Sequence, residues 1–226
     1  MTDRIRSVLY RCALVLLFGS AIAFGIYVAS GRMHSPTIED FKREYALGDV
    51  HNQQAVAEKY MTLFPVTDLL QAIDDSNATK NCHSEGHGIG RALYKANPNF
   101  AAVIRQCGHT CTDGCFHGAM MQMFVTDSDT LGGAIDDESP EAYVRHIRDE
   151  ALSLCDRPEV ASVVRPQYCA HGLGHIFAYF SPTDVSDAVH SCEQMRNGYD
   201  IESCASGAFM EYLFTASTSA MYAYKG

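Results

Sequence analysis

The sequence predicts an all-α protein: one N-terminal transmembrane helix, followed by a disulfide-braced helical domain with an internal two-fold repeat. Three observations predict this fold. They are a long apolar segment near the N-terminus, helical periodicity without convincing strand signals, and a pattern of cysteines, histidines and glycines that occurs twice. The chain has 226 residues, of which 47% are hydrophobic and 19% charged, so it can bury one sizeable core.

The apolar segment spans residues 12–30, which are nineteen consecutive uncharged residues. A helix needs about 20 apolar residues to cross a bilayer, whereas the apolar region of a signal peptide has about 7–15. We therefore expect an uncleaved anchor, although residues 21–23 (Ala-Ile-Ala) offer an alternative cleavage site. Three arginines in residues 1–11 predict a short cytoplasmic N-terminus. The main domain is then extracytoplasmic, either periplasmic or extracellular.

The chain beyond Arg32 is acidic, with 13 Lys and Arg residues against 26 Asp and Glu residues. No basic patch is present, so nucleic acid is excluded as an expected partner. The expected partners are the membrane and, as an alternative, a membrane protein complex.

Helical elements are expected in order along the rest of the chain. Residues 31–81 are interpreted as a linker and N-terminal helices, with Asn52 and Thr67 as N-caps. Residues 125–168 are expected to form an acidic exposed loop over 126–139 and then a connecting helix. Pro140 and Pro182 each follow a serine, which predicts helix starts there. Residues 215–226 are expected to form a C-terminal tail.

The repeat consists of unit 1 at residues 82–124 and unit 2 at residues 169–214. Each unit begins with a cysteine and a His-x3-His pair, continues with a helix ending in cysteine, and closes with Cys-x-x-Gly-Ala. We prefer the register that aligns both histidine pairs. A second register aligns residues 87–90 with residues 171–174.

Glycines lie inside the predicted helices beside these histidines, although each costs about 1 kcal/mol relative to alanine. Close approach of two backbones, close approach of a backbone and a ligand, or a tight turn would each explain them.

The histidine pairs are candidate metal ligands. Side chains at i and i+4 share one face of a helix, so His83 with His87, and His171 with His175, each present two imidazoles. Two such faces opposite each other suit zinc, copper or iron. His117 and Glu211 are weaker candidates, and Glu211 is expected to be exposed or paired because a buried unpaired carboxylate is costly. The alternative is that the histidines only pack in the core.

Eight of the nine cysteines lie beyond the apolar segment, and an even number in an exported domain predicts disulfides without revealing their pairing. They are Cys82, Cys107, Cys111, Cys115, Cys155, Cys169, Cys192 and Cys204. No Cys-x-x-Cys is present, which disfavours a thioredoxin-like site and covalent haem.

These features predict a membrane-anchored extracytoplasmic protein with a histidine-lined domain that binds a transition metal. The alternative is a non-catalytic subunit or assembly factor of a membrane protein complex, without a metal. A thiol oxidoreductase is a third, weaker hypothesis. No motif decides whether the protein is an enzyme.

Overall fold

Helices make up all the regular secondary structure in the part of the chain that the structure describes. The structure is a computed structural model, and it describes residues 35–48, 50–75, 82–131, 140–181 and 184–223. Within these residues there are eleven helices and no strand, which confirms the all-α prediction. They belong to one unit that begins at Ile38.

The helices are α1 Ile38–Ala46, α2 Val50–Met61, α3 Val66–Asp74, α4 Cys82–Ala96, α5 Phe100–Cys107, α6 Gly114–Leu131, α7 Pro140–Leu154, α8 Pro158–Ala161, α9 Pro166–Phe180, α10 Val185–Cys192 and α11 Gly198–Ala223.

An aromatic cluster joins the first two helices to each other. The Phe41 ring lies 4.9 Å from the Tyr45 ring and 5.4 Å from the Tyr60 ring, and all three side chains are fully buried. The Tyr45 hydroxyl donates a hydrogen bond to the Glu85 carbonyl of α4. Gly88 leaves room for that hydroxyl, because a Cβ at Gly88 would collide with it. The N-terminal helices therefore rest on the first histidine-bearing helix.

Two helix pairs, α4 with α6 and α9 with α11, pack backbone against backbone. A Cβ at Gly90 would collide with the Cys115 carbonyl oxygen, and a Cβ at Gly174 would collide with the Cys204 carbonyl oxygen. Close approach of two backbones is therefore the reason for these helical glycines.

The same contacts bear on how the two halves of the sequence correspond. Gly90 in one pair and Gly174 in the other each face a cysteine carbonyl, which relates residues 87–90 to residues 171–174. This favours the second register over the one that aligns both histidine pairs. The two-fold repeat itself stays a prediction.

Disulfides join all eight predicted cysteines, as Cys82–Cys111, Cys107–Cys115, Cys155–Cys169 and Cys192–Cys204. The second bond ties α5 to α6, and the fourth ties α10 to α11. The disulfide prediction is confirmed, and the pairing comes from the structure alone.

Several predicted helix ends were wrong. Asn52 lies inside α2 and Thr67 lies inside α3, so neither is an N-cap. Asn52 and Thr67 lie two residues and one residue after the first residue of their helices. Residue preferences at helix ends do not locate a boundary to within one or two positions. Asp184 caps α10 by accepting from the Ser186 amide, so that helix does not begin at the predicted Pro182.

Two segments expected outside helices are helical. α6 continues to Leu131 through the first part of the predicted acidic loop, and residues 132–139 lie outside the described residues. Most of the predicted C-terminal tail continues α11 as far as Ala223. The helix starting at Pro140 is confirmed as α7.

The predicted transmembrane anchor at residues 12–30 also lies outside the described residues. Among the residues that are described, no helix combines the length and the apolar character that crossing a bilayer requires.

Candidate metal centre

Four imidazoles converge between α4, α6 and α9. One ring nitrogen from each of His83, His117, His171 and His175 lies within 4.8 Å of the other three. His83 and His117 lie on the first turns of α4 and α6, and the other two lie one turn apart on α9. Such a cluster could hold a metal ion.

Backbone carbonyls fix the tautomers of three of these rings. His83 Nδ1 lies 3.0 Å from the Thr112 oxygen. His171 Nδ1 lies 3.2 Å from the Ser203 oxygen, and His117 Nε2 lies 2.8 Å from the Tyr168 oxygen. A carbonyl can only accept a hydrogen bond, so each of these nitrogens carries the proton. The other nitrogen of each ring then offers its lone pair to the centre.

A carboxylate fixes the fourth ring in the same manner. His175 Nδ1 lies 3.1 Å from Glu211 Oε2 and donates to it, which leaves Nε2 free. Metal-ligating histidines usually donate their second ring N–H to a carboxylate or carbonyl, which orients the ring and raises its basicity. All four rings have this arrangement.

Two pairs of inward nitrogens lie close together without a proton between them. His117 Nδ1 lies 3.4 Å from His83 Nε2, and His175 Nε2 lies 3.2 Å from His171 Nε2. With the tautomers above, neither nitrogen of a pair carries a proton, so two lone pairs face each other. Tetrahedral ligands bonded at about 2.0–2.1 Å lie about 3.3–3.4 Å apart. A cation between the rings would turn this repulsion into attraction.

Burial keeps these imidazoles neutral. His117 is 0% exposed and His175 is 1% exposed. Burial, followed by the neighbouring histidines, holds the pKa of both well below the ordinary value. Burial also lowers the pKa of His171, to about 4. Neutral imidazole is the ligand form, so the rings are ready to bind metal at neutral pH.

His87 lies beside the four-ring group. It is 6% exposed, its ring centroid lies 4.8 Å from that of His175, and its Nε2 has no hydrogen-bond partner. It forms a second buried group with His175 and Glu211. The sequence predicted His87 as a main ligand and His117 as a weaker candidate, whereas the structure puts His117 in the four-ring group and His87 in the second group. Packing of α6 against α9 brings His117 to the centre, and no signal in the sequence indicated that packing.

Glu211 is 7% exposed, and it has a partner in His175. Burial raises the pKa of this carboxyl, and the positive charge of Arg91 opposes the rise. Glu211 therefore accepts a hydrogen bond from His175, and it also belongs to the second group that could hold a metal ion. Its direct ligation of a metal stays a prediction.

An unusual loop presents the carbonyl that holds His83. Cys111, Thr112 and Asp113 are consecutive residues with positive φ, of 55°, 51° and 61°. For non-glycine residues this conformation costs about 1–2 kcal/mol each. Disulfides at Cys111 and Cys115 hold the two sides of the loop. Backbone strain that surrounding bonds maintain is common at functional sites.

Two further groups of side chains lie outside the four-ring group. His109 Nδ1 lies 2.9 Å from Asp113 Oδ1 and supports the strained loop, outside the imidazole cluster. Asp74, Cys82 and Cys111 also lie close together, but both cysteines are in one disulfide and cannot act as thiolate ligands.

An open cleft of about 430 Å³ reaches the four-ring group from the surface. His83, His117 and His171 line it, whereas His175 does not. The remaining lining residues combine polar groups with more extensive apolar surface: Thr112, Gln167, Tyr168, Tyr199, Glu202, Ser203, Ser206 and Met210.

No family model, no curated protein and no solved structure matches this chain.

Proposed function

We propose that this chain is a membrane-anchored extracytoplasmic protein whose helical domain binds one transition metal ion through His83, His117, His171 and His175. One observation carries the proposal. Each ring donates one N–H to a fixed acceptor and directs its unprotonated nitrogen at the other three. Core histidines that merely pack would pair these nitrogens with donors instead.

The donor set narrows the choice of metal. Four neutral imidazoles suit zinc, copper and iron, whereas hard cations such as magnesium and calcium prefer oxygen ligands. All the cysteines near the centre are tied in disulfides, so soft thiolate ligands are absent from it. Two of the nitrogen–nitrogen separations, 3.2 and 3.4 Å, match the distance between two ligands of one zinc ion.

The proposed location rests on two features. Four disulfides are typical of an oxidising, extracytoplasmic compartment. Residues 12–30 are long enough to span a bilayer, and the arginines before them favour a cytoplasmic N-terminus.

Elemental analysis tests the proposal. The full chain would be exported to an oxidising compartment, purified without a histidine tag, and compared with His117→Ala, His171→Ala and a control, His190→Ala. His190 is exposed and pairs with Glu193 away from the cluster. We expect one equivalent of metal per chain in the wild type and the control, and loss of metal in the two ligand variants.

Two measurements keep this test decisive. Circular dichroism would show whether each variant is still helical, and His171→Ala is the safer variant because that ring is partly exposed. A folded, fully oxidised wild type that takes up no zinc, copper or iron would contradict the proposal.

The alternative, a subunit or assembly factor of a membrane complex, has one observation in its favour. Large apolar side chains are exposed on α11, namely Tyr199, Phe209, Met210 and Leu213. Exposed apolar side chains that cluster on one element are typical of partner-binding surfaces. This alternative requires a stable, metal-free fold, so the same elemental analysis separates the two.

A further inference from the structure

We infer that the metal carries an exchangeable position on its cleft side, where a small anion or a water molecule binds directly to it. This inference rests on the proposed metal centre and extends it from a closed structural site to one open for chemistry. Zinc with four ligands can expand its coordination to five, so a four-histidine site with one side open to the cleft can still accept an external ligand.

The position of the centre within the cleft gives the first support. His83, His117 and His171 contribute to the cleft wall, and His175 lies behind them, 1% exposed. A metal held by all four rings would therefore have protein on the His175 side and open space on the other. A cavity of about 430 Å³ is far larger than the share of one water molecule, about 30 Å³.

Charge gives the second support, and it points to an anion. Four neutral imidazoles leave the charge of a divalent ion uncompensated. On the protein side, the Glu211 carboxylate is bonded to His175 Nδ1 and is also influenced by Arg91. An ion with no anionic ligand attracts a negative charge, and the cleft is the side from which one can arrive.

The cleft wall gives the third support and limits the charge of the ligand. Gln167, Ser203 and Ser206 bring amide and hydroxyl groups that can donate hydrogen bonds to a bound anion. Glu202 is an exposed carboxylate on the same wall and would repel a multiply charged anion more strongly than a monoanion. We therefore expect a small monoanion, or hydroxide derived from water.

Azide binding to the cobalt-loaded protein tests the inference, since cobalt(II) replaces zinc and reports its coordination through visible absorption bands. Two variants of the full chain would be compared with the wild type. Ser206→Trp places a large side chain in the cleft wall. Ser186→Trp makes the same change at an exposed position of α10 outside the cleft. Cobalt stoichiometry would be measured before and after each titration.

We expect azide to change the cobalt spectrum saturably in the wild type and in Ser186→Trp. In Ser206→Trp the apparent affinity should fall by about tenfold or more, with cobalt still bound. If the spectrum of the cobalt-loaded wild type does not change when azide is added, the inference is overturned, and the proposed metal centre is unaffected. Equal azide affinity in both variants would also overturn it, because the ligand would not enter by the cleft. Failure to bind cobalt and zinc at all would overturn the metal centre itself.

Discussion

Replacing two glycines of one helix should separate the stability of the fold from the geometry of the metal centre. Gly172 and Gly174 lie two residues apart on α9, and each lacks room for a methyl group. At Gly174 the obstructing atoms are backbone atoms of α11, whereas at Gly172 they are the side chains of Met120 and His117. The same substitution by alanine therefore has two different consequences.

The contact distances set the size of each effect. A Cβ at Gly174 would collide with the Cys204 carbonyl oxygen and would lie 2.7 Å from the Ala208 nitrogen, so α11 would have to retreat by at least about 0.7 Å to reach an ordinary contact of 3.4 Å. Two helices must separate, so we take the upper end of the overpacking cost, about 3 kcal/mol. Alanine regains about 1 kcal/mol through helix propensity, so Gly174→Ala should lose about 2 kcal/mol.

Gly172→Ala should instead damage the metal centre. Its Cβ would lie 2.6 Å from His117 Cδ2, so the ring must move by about 0.8 Å. Metal–ligand distances are held to within about 0.2 Å, so a shift of that size breaks the bond to His117. Repacking of the flexible Met120 keeps the cost near 1 kcal/mol, which the gain in helix propensity offsets. Stability of the metal-free protein should therefore stay close to that of the wild type.

Guanidinium unfolding of the metal-free proteins and zinc competition with a chromophoric chelator measure the two effects. We expect Gly174→Ala to be less stable, and Gly172→Ala to be near wild type in stability but about 100-fold weaker in zinc affinity. Each variant is the control for the other. A stable Gly174→Ala, or a Gly172→Ala that binds zinc like the wild type, would refute the reasoning from contacts.

Three further predictions concern the carboxylate, pH and a disulfide. Glu211→Gln should weaken zinc binding by about 10-fold or more, because the ring of His175 loses an anionic partner. Chelator competition measures this, and an equal loss in Glu159→Gln, at an exposed position outside the cleft, would contradict it. In the folded metal-free protein, burial keeps the pKa of His117 and His175 well below the ordinary value, so both rings stay neutral. Histidines in the unfolded chain take up protons below about pH 6.5. The free energy of unfolding is therefore full above about pH 6.5 and falls below it. The loss should be about 1.4 kcal/mol per pH unit for each such histidine. Urea midpoints between pH 7.5 and 5 would show it, and a flat profile would count against buried neutral rings. The Cys192–Cys204 disulfide closes a loop with a sequence separation of 12. Replacing both cysteines by alanine should lower the free energy of unfolding, measured with guanidinium, by about 3 kcal/mol. Unchanged stability would contradict this prediction.

Much of the candidate site was accessible from the sequence. A spacing of four residues places His171 and His175 on one face of any helix, and this holds whatever the helix packs against. The helical glycines likewise indicated a structural constraint, because a cost of about 1 kcal/mol each needs a reason, but the sequence left close backbone packing, a nearby ligand and a tight turn as alternatives.

Membership of the four-ring group was not accessible in this way. His117 belongs to it and His87 lies beside it, because α6 meets α9 at a position that no local pattern records. Glu211 was expected to be exposed or paired, and packing of α11 on α9 decided that it is buried against His175.

The acceptors that fix the tautomers were beyond any sequence signal. Thr112, Tyr168 and Ser203 act through backbone carbonyls, which every residue type possesses. The disulfide pairing is likewise a matter of which cysteines folding brings within bonding distance.

By itself, the sequence determined the helical class, the supply of imidazoles and cysteines, and the presence of glycines inside α4 and α9. These are local properties, set by the period of the helix and the size of glycine. Only the tertiary structure decided which rings meet, which nitrogen of each ring points inward, and that a cleft opens onto them. Those properties depend on contacts between residues far apart in the chain, and such contacts arise only when the helices pack.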